Sequence, residues 1–240
     1  MRFFLFLMAF AIGFPEISCA ALSVNDQERP IFAFFKLLQE PPDYDQWIMA
    51  SSKYLATEGL SEERRQQTYA EEEIRLKWGF GTYDAHKDFL KVYAPITLAL
   101  SQDSSRPVLT FHFPETEREE ILYFPFPYGA DNIALVIKDI AAYKSVTLDQ
   151  KQYETLKPLF KTNTPLTARL KLRIRPLKAD MKTPVLVDAI PFWPLVGDIA
   201  FLAFEIPAPE TPKTPYKKIY SYSAPWYMTD EETKLLELLE

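Results

Sequence analysis

Residues 166–175 read Leu-Thr-Ala-Arg-Leu-Lys-Leu-Arg-Ile-Arg. Apolar side chains stand at 166, 168, 170, 172 and 174, and Thr167, Arg169, Lys171, Arg173 and Arg175 alternate with them. Successive side chains of a strand point to opposite faces, so this run predicts a strand with one face on a core and the other in water. A second run, 199–204, is apolar at every position and predicts a strand covered on both faces. These two are expected to form the heart of a β-sheet that the other segments cover or extend.

The chain has 240 residues, and 1–20 have the pattern of an export signal. Arg2 supplies a short positive region, 3–14 are apolar and uncharged, and Ser18, Cys19 and Ala20 are the small residues a signal peptidase requires. The apolar run is shorter than the ~18 residues of a membrane span. Nothing later is long and apolar enough to cross a bilayer, so no transmembrane segment is expected after cleavage. Cys19 is the only cysteine, so a chain starting at Ala21 has neither disulfides nor thiolate metal sites. Its asparagines, Asn25, Asn132 and Asn163, do not stand in glycosylation sequons. Export without either feature points to a bacterium, and to the periplasm ahead of the medium.

The composition is globular, with 48% hydrophobic and 15% aromatic residues. A net charge of −6 with both signs spread along the chain disfavours a nucleic-acid partner. Twenty prolines against six glycines imply many rigid turns and few backbone approaches to a phosphate.

A single α+β domain is expected over 21–206. Its helical part is expected at about 28–79 and its mainly β part at about 89–206, the helices packing on a mainly antiparallel sheet of six to eight strands. In the helical part, 30–39 place Ile31, Phe34, Phe35 and Leu38 on one face. Asp43 caps a second helix closing near Gly59, with Tyr44, Trp47, Ile48, Tyr54 and Leu55 on one side. Ser61 opens a third helix reaching about Trp78, with Tyr69, Ile74, Leu76 and Trp78 as its buried stripe. In the β part, 89–100 and 108–113 read as strands, 115–120 as a charged hairpin loop, and 121–126 as the returning strand, placed at an edge by Pro125 and Pro127. The β-branched residues of 133–143 favour strand. Thr147 and Gln150 read as a capping box for a helix to about Phe160. A short strand at 185–190 and a rigid aromatic corner at 191–194 precede the buried run. Beyond it, 207–240 hold a proline-rich connector (207–215), an alternating segment at 217–222 that docks as an edge strand, and an acidic terminal helix opened by Thr229 and Glu232.

Motifs for catalysis are missing. G-x-S-x-G, G-x-x-x-x-G-K, G-x-G-x-x-G and H-E-x-x-H do not occur, and no metal or cofactor is expected. Two stretches remain as candidates. One is the loop 79–86, where Trp78, Phe80 and Tyr83 would contact a ligand and Asp84 would orient His86 as a base; structurally, its glycines would cap a helix and its rings would be core. The other is the basic strand. Arg169, Lys171, Arg173 and Arg175 repeat at about 6.7 Å, twice the rise per strand residue. Such a row needs water, acidic neighbours or an anionic partner. It reads either as a surface for an anionic envelope component or acidic protein, or as a solvated face answered by Glu and Asp of adjoining segments.

The order of these parts, with 187–193 (Val-Asp-Ala-Ile-Pro-Phe-Trp) leading into the buried strand, resembles uncharacterised exported bacterial proteins. The resemblance implies an exported domain and assigns no residue a role. The expected function is a non-enzymatic binding or interaction module for an envelope protein or anionic surface. The alternatives are an envelope-polymer hydrolase using Asp84 and His86, or a carrier of a small apolar ligand.

Overall fold

The computed structural model describes residues 28–101, 106–112, 123–129, 131–160, 165–187, 189–208 and 216–228. In order, these form α1 (Arg29–Leu38), α2 (Tyr44–Ala50), α3 (Ser52–Leu55), α4 (Glu62–Thr82), β1 (Leu90–Leu100), β2 (Val108–His112), β3 (Tyr123–Tyr128), β4 (Asp131–Ile137), β5 (Ser145–Thr147), α5 (Gln150–Leu156), β6 (Leu166–Ala179), β7 (Val185–Val187), β8 (Ile190–Pro207) and β9 (Tyr216–Ser223). The signal segment 1–20, the charged loop 115–120, the connector residues 209–215 and the acidic segment 229–240 lie outside the described residues.

The chain is an α+β fold on one nine-stranded mixed sheet, ordered β3-β4-β8-β6-β1-β2-β5, with β7 and β9 also paired to β8. Among the described residues only β4 and β8 run parallel; the other pairings are antiparallel. The alternation of 166–175 is realised: Ala168, Leu170, Leu172 and Ile174 are buried, and the cations project from the opposite face. Along one edge β8 pairs with β6. Its other edge takes β4 at 193–197 and then β9 at 201–207. Gly197 permits this crowding, since a Cβ there would lie 2.4 Å from Ile174 Cγ2 and 3.0 Å from the Arg175 carbonyl oxygen.

Helix α1 touches β3, β4, β6 and β8, and its residues 31–35 are buried on all sides, a wider face than the four-residue stripe of Ile31, Phe34, Phe35 and Leu38. Trp47 of α2 and Phe80 of α4 cover its outer side, with Phe32 ring centroids 5.6 and 5.9 Å from theirs. Trp47 Nε1 donates to Asp131 at the start of β4, at 2.8 Å. Burial raises the Asp131 carboxyl above its usual range, against the opposing effect of that bond.

Beside these rings sits a buried ion cluster. The Arg75 guanidinium donates to Glu28 at 2.6 and 2.7 Å and to Glu72 at 2.8 Å. Lys53 adds a contact to Glu72 at 3.0 Å, and the Tyr128 hydroxyl donates to Glu28 at 3.0 Å. Burial raises the Glu72 carboxyl, but hydrogen bonds from Arg75 and Lys53 outweigh it and hold the group below its ordinary range. Its contribution to stability is therefore present above the ordinary value of 4.5 and lost as pH falls through the depressed one.

Several expectations are corrected. Helix α4 does not end at Trp78 but runs to Thr82, because packing Leu76 and Phe80 one turn apart outweighs the ~1 kcal/mol that each glycine costs. Its buried face is Thr68, Glu72, Arg75, Leu76 and Gly79, while Ile74 and Trp78 are 53% and 44% exposed. The second helix breaks at Ser51, whose side chain caps α3 by accepting from the Tyr54 amide at 3.2 Å, and Leu55 is exposed. Strands β2 and β3 do not form a hairpin: β2 pairs with β1 and β5, whereas β3 is the far edge beside β4. Thr147 stays in the β5 ladder, so Asp149 and Gln152 form the capping box of α5 instead. The aromatic stretch 191–194 is no corner but part of β8, which begins at Ile190 after a turn with Ala189 at φ 66°. The alternating segment at 217–222 does dock as an edge strand, since it lies in β9, which pairs with β8.

Replacing Arg75 with Met strands two buried carboxylates and is expected to cost about 3–5 kcal/mol in urea unfolding. The triple variant E28Q/E72L/R75M should return to within about 2 kcal/mol of the parent. Gly197→Ala should cost about 1–3 kcal/mol by overpacking at Ile174, read as a fall in Tm or in the urea midpoint.

Candidate binding face

Helices α1, α2 and α4 lie on the side of the sheet to which Leu170 and Leu172 point. The opposite face is read directly from the ladder register. Across β1, β6, β8 and β9, one row is Lys91, Arg173, Phe201 and Ser223, and the next is Tyr93, Lys171, Ala203 and Ser221. A third is Pro95, Arg169, Glu205 and Lys218. Beyond the first row Arg175 faces Asp198. Among the described residues, six cations (Lys91, Arg169, Lys171, Arg173, Arg175 and Lys218) thus share these rows with two carboxylates, Glu205 and Asp198.

The cations differ in what they do. Arg169 donates to Glu205 Oε2 through Nε at 3.0 Å, and Glu205 is only 8% exposed. Its guanidinium also lies 3.4 Å from the Tyr216 ring centroid and 4.9 Å from that of Tyr93, held between two rings. Arg175 donates to Asp198 at 3.2 Å, with its guanidinium 3.8 Å from the Trp226 ring centroid. Both side chains are built into the sheet. Lys171 reaches Glu205 only at 3.8 Å. At the Arg169 end the face sinks into a recess of about 330 Å³ lined by Tyr93, Pro95, Thr167, Arg169, Pro207 and Tyr216. That volume is at the small end of ligand pockets and is enough for one or two apolar side chains.

Trp226 and Tyr227 close the other end. Trp226 stacks on Phe89 at 6.3 Å, Tyr227 meets Phe89 at 5.0 Å, and the Ala224 amide donates to the Ala200 carbonyl at 2.8 Å. The chain after β9 therefore turns back onto the charged face beside Arg175.

The structure separates the other candidate stretch. Phe80 and Tyr83 pack on Phe32 in the core, with Lys36 Nζ 4.6 Å from the Phe80 centroid, whereas Trp78 is on the far side of α4. The Tyr83 hydroxyl is buried with no hydrogen-bond partner among the described residues, and burial, then the Asp88 charge, pushes its pKa upward. Asp84 Oδ1 accepts from the backbone amide of His86 at 2.9 Å, and this bond lowers its pKa. The Asp84 amide in turn donates to Asp88 Oδ2 at 2.9 Å. This is the hydrogen bonding of a turn leading into β1, and His86 is exposed on it. Among the described residues no three His, Cys, Asp or Glu side chains gather as a metal site would need, and no helix is long and apolar enough to cross a membrane.

Sequence reasoning placed the four cations of β6 on one face, and they stand there. It missed Tyr93, Tyr216, Glu205 and the recess, although the alternation of Lys91, Tyr93 and Pro95 with buried Val92 and Ala94 is the same signal on a neighbouring strand. No family model, curated protein or solved structure matches this chain.

The division between built-in and peripheral cations is open to measurement. Arg169→Gln should destabilise the fold by about 2 kcal/mol, because Glu205 is left buried without its main donor. Lys91→Gln should stay within about 0.5 kcal/mol of the parent in the same urea titration.

Proposed function

We propose that this chain is an exported, non-enzymatic binding module, and that the outer face of its sheet captures an acidic protein segment carrying apolar side chains. The observation that carries this reading is the coincidence of charge and shape: among the described residues, six cations stand with two carboxylates on one face of the sheet, which runs into an aromatic-walled recess. An acidic chain would gain charge-assisted contacts along Lys91, Lys171 and Arg173, and an apolar side chain would lose water in the recess between Tyr93 and Tyr216. A phospholipid surface fits less well, because a bilayer takes up protruding apolar groups and this face offers a hollow. The export pattern of 1–20 makes an envelope protein the natural source of the segment.

The test is a fluorescence titration of the protein with a short labelled peptide of glutamate and leucine, alongside vesicles of phosphatidylcholine and phosphatidylglycerol. The peptide should bind, and binding should collapse when salt rises from about 0.1 M to about 1 M and the Debye length shrinks from about 10 Å to about 3 Å. The variant K91Q/K171Q should lose about fivefold, each lysine charge being worth up to about 1 kcal/mol. Vesicle binding without peptide binding would replace this reading with a lipid surface, and binding of neither would overturn it.

A further inference from the structure

Helix α5 follows β5 at one end of the strand order, whereas β9 hangs from β8, yet the two face each other. The sheet curls enough for Phe111 of β2 to meet Phe204 of β8 with ring centroids 5.3 Å apart, although β6 and β1 stand between those strands. Tyr143, shortly before β5, meets Tyr222 of β9 at 5.1 Å. Between α5 and β9 this curl leaves a cleft of about 280 Å³. Four consecutive residues of β9, 218–221, line it. A strand shows alternate residues on each face, so consecutive ones meet a cleft only along an edge, and here that is the edge away from β8. We propose that this cleft binds a small amphiphilic anion, a carboxylate or phosphate head on a short apolar stem, at a site that shares only Lys218 with the basic sheet face.

Three features support the assignment. The first is charge. Lys151 on α5 and Lys218 on β9 stand on opposite walls, both exposed, and the lining residues include no carboxylate. In the ladder Lys218 is opposite Glu205, but that carboxylate is held by Arg169 at 3.0 Å and approached by Lys171 at 3.8 Å. Among the described residues neither Lys151 nor Lys218 has an ion-pair partner. The second is a set of neutral donors. Gln152 Oε1 accepts from the Asp149 amide at 2.9 Å, which leaves the Gln152 amide nitrogen as a donor, and Ser221 adds a hydroxyl. Among the described residues β9 pairs only with β8, so backbone amides along its far edge lie outside any ladder. The third is the apolar floor. Leu156 is buried, Ile219 and Tyr220 are half-buried, and the Tyr220 ring is fixed on Phe204 with centroids 5.4 Å apart.

Cations and donors at the rim with hydrocarbon beneath them match a ligand whose head stays near water while its stem leaves it. Size narrows the class. At the ~30 Å³ that a molecule takes in liquid water, the cleft admits about nine heavy atoms. A whole phospholipid is excluded, whereas a short fatty acid or an alkyl phosphate fits.

The experiment is a calorimetric titration of the full chain with octanoate, butyl phosphate, acetate, inorganic phosphate and octanol. Octanoate or butyl phosphate should bind with a constant of about 0.1–1 mM, and about tenfold or more tighter than acetate or inorganic phosphate. The tighter of the two names the head group. K151Q should weaken this binding about fivefold, and K151Q/K218Q about twentyfold. T155W, which lays an indole across the cleft from an exposed helix position, should abolish it. The urea midpoints should stay at the parent value, because all three positions are exposed. K91Q/K171Q, which weakens capture of the glutamate–leucine peptide at the sheet face, should leave anion binding unchanged. Loss of octanoate and butyl phosphate binding in that variant would move the anion to the sheet face and overturn the cleft as its site. Undiminished binding in T155W, or no binding of either probe by the parent, would overturn it as well. Octanol binding as tightly as octanoate would overturn the role of the head, and acetate binding as tightly would overturn that of the stem.

Discussion

The ladder between β6 and β8 sets the terms for everything else in this fold. Once 166–175 alternates apolar and cationic side chains, β8 must answer two opposite demands at once. On the inner side it supplies Leu202 and Phe204 opposite Leu172 and Leu170. On the outer side it supplies Glu205 beside Arg169 and Asp198 beside Arg175. A row of cations at strand spacing repels itself, and these two carboxylates near its ends relieve that repulsion where it would otherwise weaken the pairing. The register shift between Arg173 and Ile174 adjusts the alignment between the two anchors.

The two faces of the sheet are held to their neighbours by different physics. On the inner side attachment is dense and dry: the rings of Phe32, Phe35, Trp47 and Phe80 interlock, and Arg75 is saturated by two carboxylates. A guanidinium enclosed in this way contributes register more than net stability, since the solvation lost by three charged groups offsets most of what their pairing returns. It ties α4 to the residue that starts α1, and through Tyr128 to β3. On the outer side the contacts are shallower, guanidinium planes lying on Tyr93, Tyr216 and Trp226.

Much of this was legible in the chain, and the failures have definite causes. Strand alternation located β1, β2, β6 and β9, and the caps at Asp43 and Ser61 were visible because a short polar side chain before an apolar run has few other uses. Helix α4 was misjudged because its buried stripe is written in polar letters. Glu72 and Arg75 look like surface residues until Glu28, 47 positions from Arg75, is brought against them. Strand pairing failed at β2 and β3 because proximity in sequence is only a prior, and here β4, β8, β6 and β1 intervene between them. For the outer face, single-strand reasoning could find cations but not what stands across the ladder. Tyr93, Glu205 and Lys218 become neighbours of Arg169 and Lys171 only through register, which no local pattern contains.

The same register argues that the charge on this face is more than edge protection. Lysines placed to discourage strand addition belong on edges, as Lys217 and Lys218 of β9 are. The β6 cations sit on an interior strand with β1 on one side and β8 on the other, where no strand can be added. For solubility alone mixed signs would serve better, since alternating charges cost less in self-repulsion. What remains is a predominantly positive face across several rows, held in shape because Arg169 and Arg175 are pinned to Glu205 and Asp198. A surface arranged in that way is suited to meeting an acidic chain.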